Sequence, residues 1–525
     1  MLQIKNLSIV HTKDLRSLIN DFSFVLNPGD KAVIIGEEGN GKSTMLKWIY
    51  DPELTADYAE CAGERIINNE RLAYLPQELP LSDGAKTVYD YFTGNEAFWR
   101  KTPKELNRMS AQLSLNPDIF YSDQRMGSLS GGEKIKVQLL SLLLEEPTAL
   151  LLDEPSNDID LETLEWLERY IAGFPGIVLF ISHDEVLIER CANVVIHIEQ
   201  VRRKTVSRCT LMRTSFAEYV SMRRSNLQNQ EALALYQRRQ QKMREEKFRK
   251  IYEKVSRDQN SVSRQDPHSG RLLKKKMHAV KSLEHRYERE REEMADVPDL
   301  EEAMYIRFDN SKTVPAGKTV LELSLDKLVC PDGSKVLAEN IKLFIRGNEK
   351  ICIIGKNGAG KSTLIKIIAE MLLGRDDILA IYMPQDYSDL IDDESTPVEF
   401  LSVTYDKEEQ TRIRTYLGSM KYTSDEMDHR IAELSGGQKA KLILLKLSMS
   451  GANVLIMDEP TRNLSPLSGP VVRQALRSFP GAVISVSHDR KYMEEVCDTV
   501  YELRQDGLFN CDFPSQPVSG PGSGR

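Results

Sequence analysis

Gly36-Glu37-Glu38-Gly39-Asn40-Gly41-Lys42-Ser43-Thr44 recurs 319 residues later (361 − 42) as Gly355-Lys356-Asn357-Gly358-Ala359-Gly360-Lys361-Ser362-Thr363. Both stretches fit the pattern G-x-x-x-x-G-K-[ST]. Glycines at those positions let successive backbone N–H groups turn toward phosphate oxygens at the start of a helix. The pattern gives Lys42 and Lys361 to the β/γ-phosphates, and Ser43 and Ser362 to a magnesium ion. Lys31–Ile35 and Lys350–Ile354 precede the two loops as short apolar runs, the mark of a buried strand. One such match could be fortuitous; two in equivalent settings are a duplication.

Four further motifs repeat in the same order. Tyr74-Leu75-Pro76-Gln77 returns as Tyr382-Met383-Pro384-Gln385, an offset of 308 (382 − 74). Leu129-Ser130-Gly131-Gly132, Leu152-Asp153-Glu154-Pro155 and Ser182-His183-Asp184 return as Leu434-Ser435-Gly436-Gly437, Met457-Asp458-Glu459-Pro460 and Ser487-His488-Asp489, each at 305 (488 − 183). Asp153 and Asp458 end apolar runs, where a metal-binding carboxylate belongs. Glu154 and Glu459 come next and are placed to polarise an attacking water. Gln77 and Gln385 are placed to meet magnesium or water, and His183 and His488 the γ-phosphate. Ser130 and Ser435 read as helix N-caps, whose following glycines leave N–H groups for an anion. The helical patterns after them span Lys134–Leu144 and Lys439–Leu447. Each copy alternates strands and helices, so the fold class is α/β.

The full set resembles the ATP-binding cassette (ABC) ATPases, twice in one chain. The resemblance implies ATP and Mg²⁺ as cofactors, with Glu154, Glu459, His183 and His488 catalytic. It also implies two composite sites formed head to tail, an intramolecular dimer of the two ATPase domains. Gly36, Gly39, Gly41, Lys42, Ser43, Thr44, Gln77 and Asp153 would be completed by Ser435-Gly436-Gly437. Gly355, Gly358, Gly360, Lys361, Ser362, Thr363, Gln385 and Asp458 would be completed by Ser130-Gly131-Gly132. Magnesium would fall to Ser43, Gln77 and Asp153 in one site, and to Ser362, Gln385 and Asp458 in the other. After the catalytic Glu the family commonly reads Pro-Thr-Asn-His-Leu-Asp. The first copy has Pro155-Ser156-Asn157-Asp158-Ile159-Asp160 and the second, more altered, Pro460-Thr461-Arg462-Asn463-Leu464-Ser465. Unequal sites are the expectation.

The copies occupy 1–220 and 319–513, and a different kind of sequence joins them over 221–318. Ser221 to Lys281 holds 17 Lys and Arg against 6 Asp and Glu, in a chain whose net charge is −9. From Arg223 to Val255 there is no Pro or Gly, which favours one long helix. Phe248, Ile251, Tyr252 and Val255 share a face. A second helix is expected over Leu272–Met294, with a turn at Ser256–Gly270, giving an antiparallel hairpin. Its basic stripe suits a polyanion backbone. Arg244, Lys247, Lys250, Arg257, Arg264, Arg271, Lys274, Lys275 and Lys276 are the expected contacts. Residues 514–525, rich in Pro, Gly and Ser, read as a disordered tail.

Tandem cassettes around a basic hairpin resemble the ABC-F translation factors. That resemblance implies binding at the tRNA exit site of the 70S ribosome, with the hairpin directed to P-site tRNA and 23S rRNA at the peptidyl-transferase centre. Only 53 residues (130 − 77) separate Gln77 from Ser130, too few for the extra arm some members insert there. A long hairpin without that arm most resembles the antibiotic-resistance subgroup, which protects ribosomes from lincosamides, pleuromutilins and streptogramin A. A housekeeping factor that relieves stalled ribosomes has the same architecture. A fused ATPase subunit of a transporter is the third class, but it has no evident use for a basic hairpin.

Composition fits these classes. The chain has 525 residues, 41% hydrophobic and 28% charged, ample for several cores. No apolar run reaches the ~18 residues of a membrane helix. Met1–Leu7 reads as a strand rather than a signal peptide. The 7 cysteines are scattered, with neither disulfide nor zinc spacing. Together these predict a cytoplasmic, ribosome-associated protein.

Overall fold

Strand alternation at the N-terminus shows how sequence sets the first layer. Along Leu2-Gln3-Ile4-Lys5-Asn6-Leu7-Ser8-Ile9, apolar residues alternate and then slip by one at Asn6. The strand β1 (Leu2–His11) is bulged there, with Asn6 at φ 49°, so that Leu2, Ile4, Leu7 and Ile9 all reach the core. In this computed structural model the described residues are 1–261 except 14 and 202–205, the single positions 275, 277, 278, 282, 286, 306 and 308, and 313–511 except 331, 332, 334, 388 and 389.

β1 pairs antiparallel with β2 (Ser17–Leu26) and, on its other side, with a strand at Ala59–Ile67. β3 (Lys31–Ile35) lies in the main sheet instead, and Ala59–Ile67 is therefore β4. The main sheet continues with β5 (Leu72–Leu75), β6 (Ala149–Asp153), β7 (Ile177–Ile181), β8 (Val194–Val201) and β9 (Val206–Met212). Its order is β5-β6-β7-β3-β8-β9, parallel except for β9 at the edge. β3, β6 and β7 are buried along their whole length, which is why they read as continuous apolar runs and not as alternation.

The second copy repeats this plan. β10 (Thr319–Val329) and β11 (Val336–Arg346) form an antiparallel pair. The six-stranded sheet comprises β12 (Lys350–Ile354), β13 (Ala380–Met383), β14 (Val454–Asp458), β15 (Ala482–Val486), β16 (Thr499–Arg504) and β17 (Gly507–Cys511). Its order, β13-β14-β15-β12-β16-β17, matches the first sheet strand for strand. The α/β fold predicted from the motifs is the observed one. Met1–Phe216 and Glu301–Arg525 together form one unit, so both copies belong to it.

The helices that matter to the site begin at the motifs. In the first copy these are α1 (Lys42–Tyr50), α2 (Gly131–Leu143), α3 (Leu161–Gly173) and α4 (Glu185–Cys191). α2 starts three residues earlier than the periodicity predicts, because Ser130 and Glu133 form a reciprocal capping box. Ala217–Leu300 is a second unit, and its main feature is α5 (Phe216–Ser261). At ~1.5 Å per residue α5 is about 70 Å long. It runs through Ser256–Ser261, where a turn is expected. Those residues contain no Pro or Gly, and Glu253 holds both Arg249 and Arg257 at i ± 4. The remaining turn, 262–270, most of the return helix and the tail 514–525 lie outside the described residues, although Lys275, Met277, His278, Ser282 and Arg286 are helical. The second copy adds α6 (Lys361–Leu373), α7 (Gly436–Met449), α8 (Gly469–Ser478) and α9 (Arg490–Val496).

Candidate functional site

In the first copy the loop from Gly36 to Gly41 leads from β3 into α1. Gly36 takes φ 144°, and a Cβ there would stand 2.2 Å from the Ile198 carbonyl oxygen, so only glycine fits. The Lys42 ammonium is buried and donates to the carbonyls of Gly36 (2.9 Å) and Glu37 (3.0 Å). An ammonium has three donors, so one remains for a phosphate oxygen. Ser43 and Thr44 open α1. Ser43 Oγ donates to Asp153 at 2.9 Å, and Tyr74 Oη donates to the other Asp153 oxygen at 3.2 Å. Burial lifts the Asp153 carboxyl to about 6. A buried carboxylate beside a hydroxyl, short of positive partners, fits a divalent cation, and Ser43, Asp153 and Gln77 are the residues that would hold Mg²⁺.

Glu154 follows β6 with φ 50°, a tight turn that carries its side chain out of the sheet. Its carboxylate meets His183 Nε2 (3.1 Å), Gln77 Nε2 (3.3 Å) and Asn157 Nδ2 (2.5 Å). Burial alone would raise its pKa, but His183, Lys42 and Asn157 outweigh that and hold it down at about 2. Glu154 is therefore a carboxylate at neutral pH. The other ring nitrogen of His183, Nδ1, is buried with no hydrogen-bond partner among the described residues.

The second copy has the same parts in a different electrostatic state. Lys361 donates to Gly355 O (2.8 Å) and Lys356 O (3.1 Å), and Ser362 bonds Asp458. Gly358 and Gly360 keep positive φ, as do Gly39 and Gly41. His488 Nε2 stands 3.9 Å from Glu459, too far for a hydrogen bond. Burial, helped by Asp458, pushes Glu459 up to about 8, while burial and Lys361 push His488 down to about 4. Both groups are thus neutral at pH 7, in contrast to the Glu154 carboxylate.

Signature and phosphate loops face each other across the two copies. Ser435 caps α7 as Ser130 caps α2, and the Gly437 N–H donates to the carboxylate of Glu38 in the first phosphate loop. Lys441, on the same helix, pairs with Glu37. In the opposite sense Asn357 donates to Asp158 O at 2.6 Å, and Lys356 lies 3.1 Å from Glu162 at the start of α3. A Cβ on Gly131 would stand 1.9 Å from Asp158 O of its own copy and 3.3 Å from Asn357 Nδ2 of the second phosphate loop. Thr363 follows Ser362 into α6. A cavity of about 660 Å³ lies between the copies, lined among others by Gln77, Gln385, Asp158, Arg462 and Asn463. Sequence reasoning missed Glu37, Glu38, Tyr74 and Lys441. The signal for the first two was present: an acidic pair in a phosphate loop whose twin carries Lys356-Asn357.

On α5 the expected contact residues Arg244, Lys247, Lys250 and Arg257 are exposed, as is Lys275. Phe248 and Tyr252 share a face, with ring centroids 6.1 Å apart. Arg264, Arg271, Lys274 and Lys276 lie outside the described residues. Among the described residues no helix is long and apolar enough to cross a membrane.

Known proteins resemble the chain over nearly its full length. It is 26% identical to ABC transporter F family member 5 of Arabidopsis thaliana, over 94% of this chain and 73% of that protein. It is 27% identical to the ATP-binding protein Uup of Buchnera aphidicola, over 94% of this chain and 79% of that one. Among solved structures it resembles an archaeal ribosome recycling factor, aABCE1, crystallised with the ribosomal stalk protein aP1. The TM-score is 0.56 at 17% identity, covering 96% of this chain and 90% of the other, and shows a common fold. The ABC transporter family pattern matches twice, at residues 19–157 and 338–462, half of the chain in all. With both matches centred on the duplicated phosphate loops, the chain belongs to the ABC transporter family through two copies of its ATPase domain, and it is an ATPase.

Proposed function

We propose that this ATPase works on the ribosome as an ABC-F-type factor, with its basic interdomain helices as the working end. The observation that carries the reading is the pairing of two facing ATPase sites with an exposed basic helix about 70 Å long, on a chain whose described helices do not span a membrane. The Arabidopsis relative is itself an F family member, and the structural relative is a ribosome recycling factor.

In this reading residues 1–220 and 319–513 are the cassettes, and 221–318 the linker. ATP phosphates sit on the N–H groups of Gly36–Lys42 and Gly355–Lys361, with Lys42 and Lys361 countering their charge. Mg²⁺, when bound at Ser43 and Asp153 or at Ser362 and Asp458, neutralises charge that develops on the β- and γ-phosphates. Glu154 orients the attacking water and takes its proton, while His183 and Gln77 hold the Glu154 carboxylate in place. Glu459, His488 and Gln385 have the corresponding places in the second site. Ser435-Gly436-Gly437 and Ser130-Gly131-Gly132 close each site from the other cassette, so ATP holds the pair together and hydrolysis releases it.

The linker would contact 23S rRNA and P-site tRNA near the peptidyl-transferase centre, with binding at the tRNA exit site. Two roles fit such a factor: protection from lincosamide, pleuromutilin and streptogramin A drugs, and relief of stalled ribosomes. Pelleting of the protein with 70S ribosomes in non-hydrolysable ATP, but not in ADP, tests the ribosome reading, and equal pelleting in both would contradict it. Drug susceptibility of expressing cells separates the two roles.

A further inference from the structure

The two cassettes meet through a second set of contacts away from the phosphate loops, where α3 and α4 face α8 and α9. Arg473 is 3% exposed and binds Glu185 with both Nη atoms, at 2.7 and 3.2 Å. Arg490 pairs with Glu168 and lies 3.2 Å from Asp184. Each buried partner is also held within its own cassette, Glu168 by Arg190 and Arg473 by Glu495, both at 2.7 Å.

The duplication offset of 305 gives these pairs a meaning. Glu168 is equivalent to Arg473 (473 − 168), Glu185 to Arg490 (490 − 185), and Arg190 to Glu495 (495 − 190). At all three positions the sign is inverted between copies. A pair of first cassettes, joined in the same way, would set Glu168 against Glu185 twice. A pair of second cassettes would set Arg473 against Arg490 twice. Unpaired like charges at sites this buried are strongly unfavourable, whereas the unlike pair sets each carboxylate against a guanidinium. The chain is acidic on one face and basic on the matching one, although both descend from one repeat.

We propose that these inverted positions form a charge code that admits only the unlike pair of cassettes. The first cassette fits the second, and like cassettes of two chains repel each other. The code excludes head-to-tail assembly of two copies through like cassettes, and it fixes which signature closes which phosphate loop.

Full-length chains with exchanged residues test this. One carries Arg473→Glu, Arg490→Glu and Glu495→Arg, so both faces are acidic. Another carries Glu168→Arg, Glu185→Arg and Arg190→Glu, so both are basic. A third carries all six changes and restores the complement with its poles reversed. The acidic and basic chains should each lose roughly tenfold or more of ATPase rate. The six-residue exchange should return to within about threefold of the parent. When mixed, the acidic and basic chains should sediment as a two-chain species, while each alone sediments as a single chain. Retained parental turnover in either three-residue variant, a sixfold variant as slow as they are, or a mixture that does not associate would each overturn the code. The ATPase readout rests on the reading that turnover needs both cassettes; sedimentation does not. Association without recovered turnover would support the code and count against that reading.

Discussion

Arg462 and Asp158 meet across the two cassettes, with Nη2 3.1 Å from the carboxylate. They stand in the two loops that follow Glu154 and Glu459, at positions where the family pattern is altered, and each departure supplies the other's partner. Side-chain exposures of 31% and 59% place the pair in the open, so it is worth ~0–1 kcal/mol of stability. Arg462→Asn gives the second loop the residue that Asn157 provides in the first. It should change the unfolding free energy measured in urea by less than about 1 kcal/mol while moving the relative turnover of the two sites. A larger loss of stability would mean that the pair has a structural rather than a tuning role.

The glutamates themselves should differ. Glu154 lies 3.1 Å from His183, whereas Glu459 stands 3.9 Å from His488. Glu154→Gln removes a charged, well-held base and should cut turnover by ~10²-fold or more, the scale of general-base loss. Glu459→Gln should cost less. The double variant should bind ATP and hardly turn over. Single-turnover rates for the two single variants check the claim, and equal rates would remove the asymmetry.

Much of this was legible in the sequence because the informative groups are local. β3, β6, β7 and their copies are short apolar runs fixed by burial on both faces. The phosphate loops, Asp153-Glu154 and Asp458-Glu459 sit at strand ends, where a few consecutive residues define the geometry. Helix boundaries were less legible. Ser256–Ser261 has the composition of a turn, yet Arg249, Glu253 and Arg257 carry the helix through it. Contacts between distant residues were least legible: Glu38 with Gly437, or Arg473 with Glu185, depend on how the copies face each other. The opposite charges of Glu168 and Arg473, of Glu185 and Arg490 and of Arg190 and Glu495 stand in the sequence, but only the structure shows which of these residues meet across the copies.

Glu38 offers a direct test of the first composite site. Its carboxylate accepts the Gly437 N–H, one of the donors that the sequence leaves for an anion at the start of α7. If Gly437 closes the first ATP site, nucleotide has to displace Glu38 and tolerate its charge. Glu38→Asn, which copies Asn357 of the second loop, should tighten MgATP binding about threefold to tenfold. Titration of a fluorescent ATP analogue measures this. Unchanged or weaker binding would show that Glu38 does not compete with nucleotide.

The basic face of α5 should act through phosphates. Arg244→Gln, Lys247→Gln and Lys250→Gln should each weaken ribosome binding. Each should also reduce the dependence of log K on log salt by roughly 0.7–0.9 for every phosphate no longer neutralised. ATPase without ribosomes should stay as in the parent. Binding that weakens with no change in salt slope would assign these residues a packing role instead.

The most direct test of a ribosome-acting ATPase is the Glu154→Gln/Glu459→Gln protein incubated with 70S ribosomes and MgATP, then pelleted through a sucrose cushion. Near-stoichiometric recovery with the ribosomes, arrest of translation in a cell-free extract, and release of the parent protein under the same conditions are expected. Recovery no greater than in ADP, with translation unaffected, would contradict action on the ribosome.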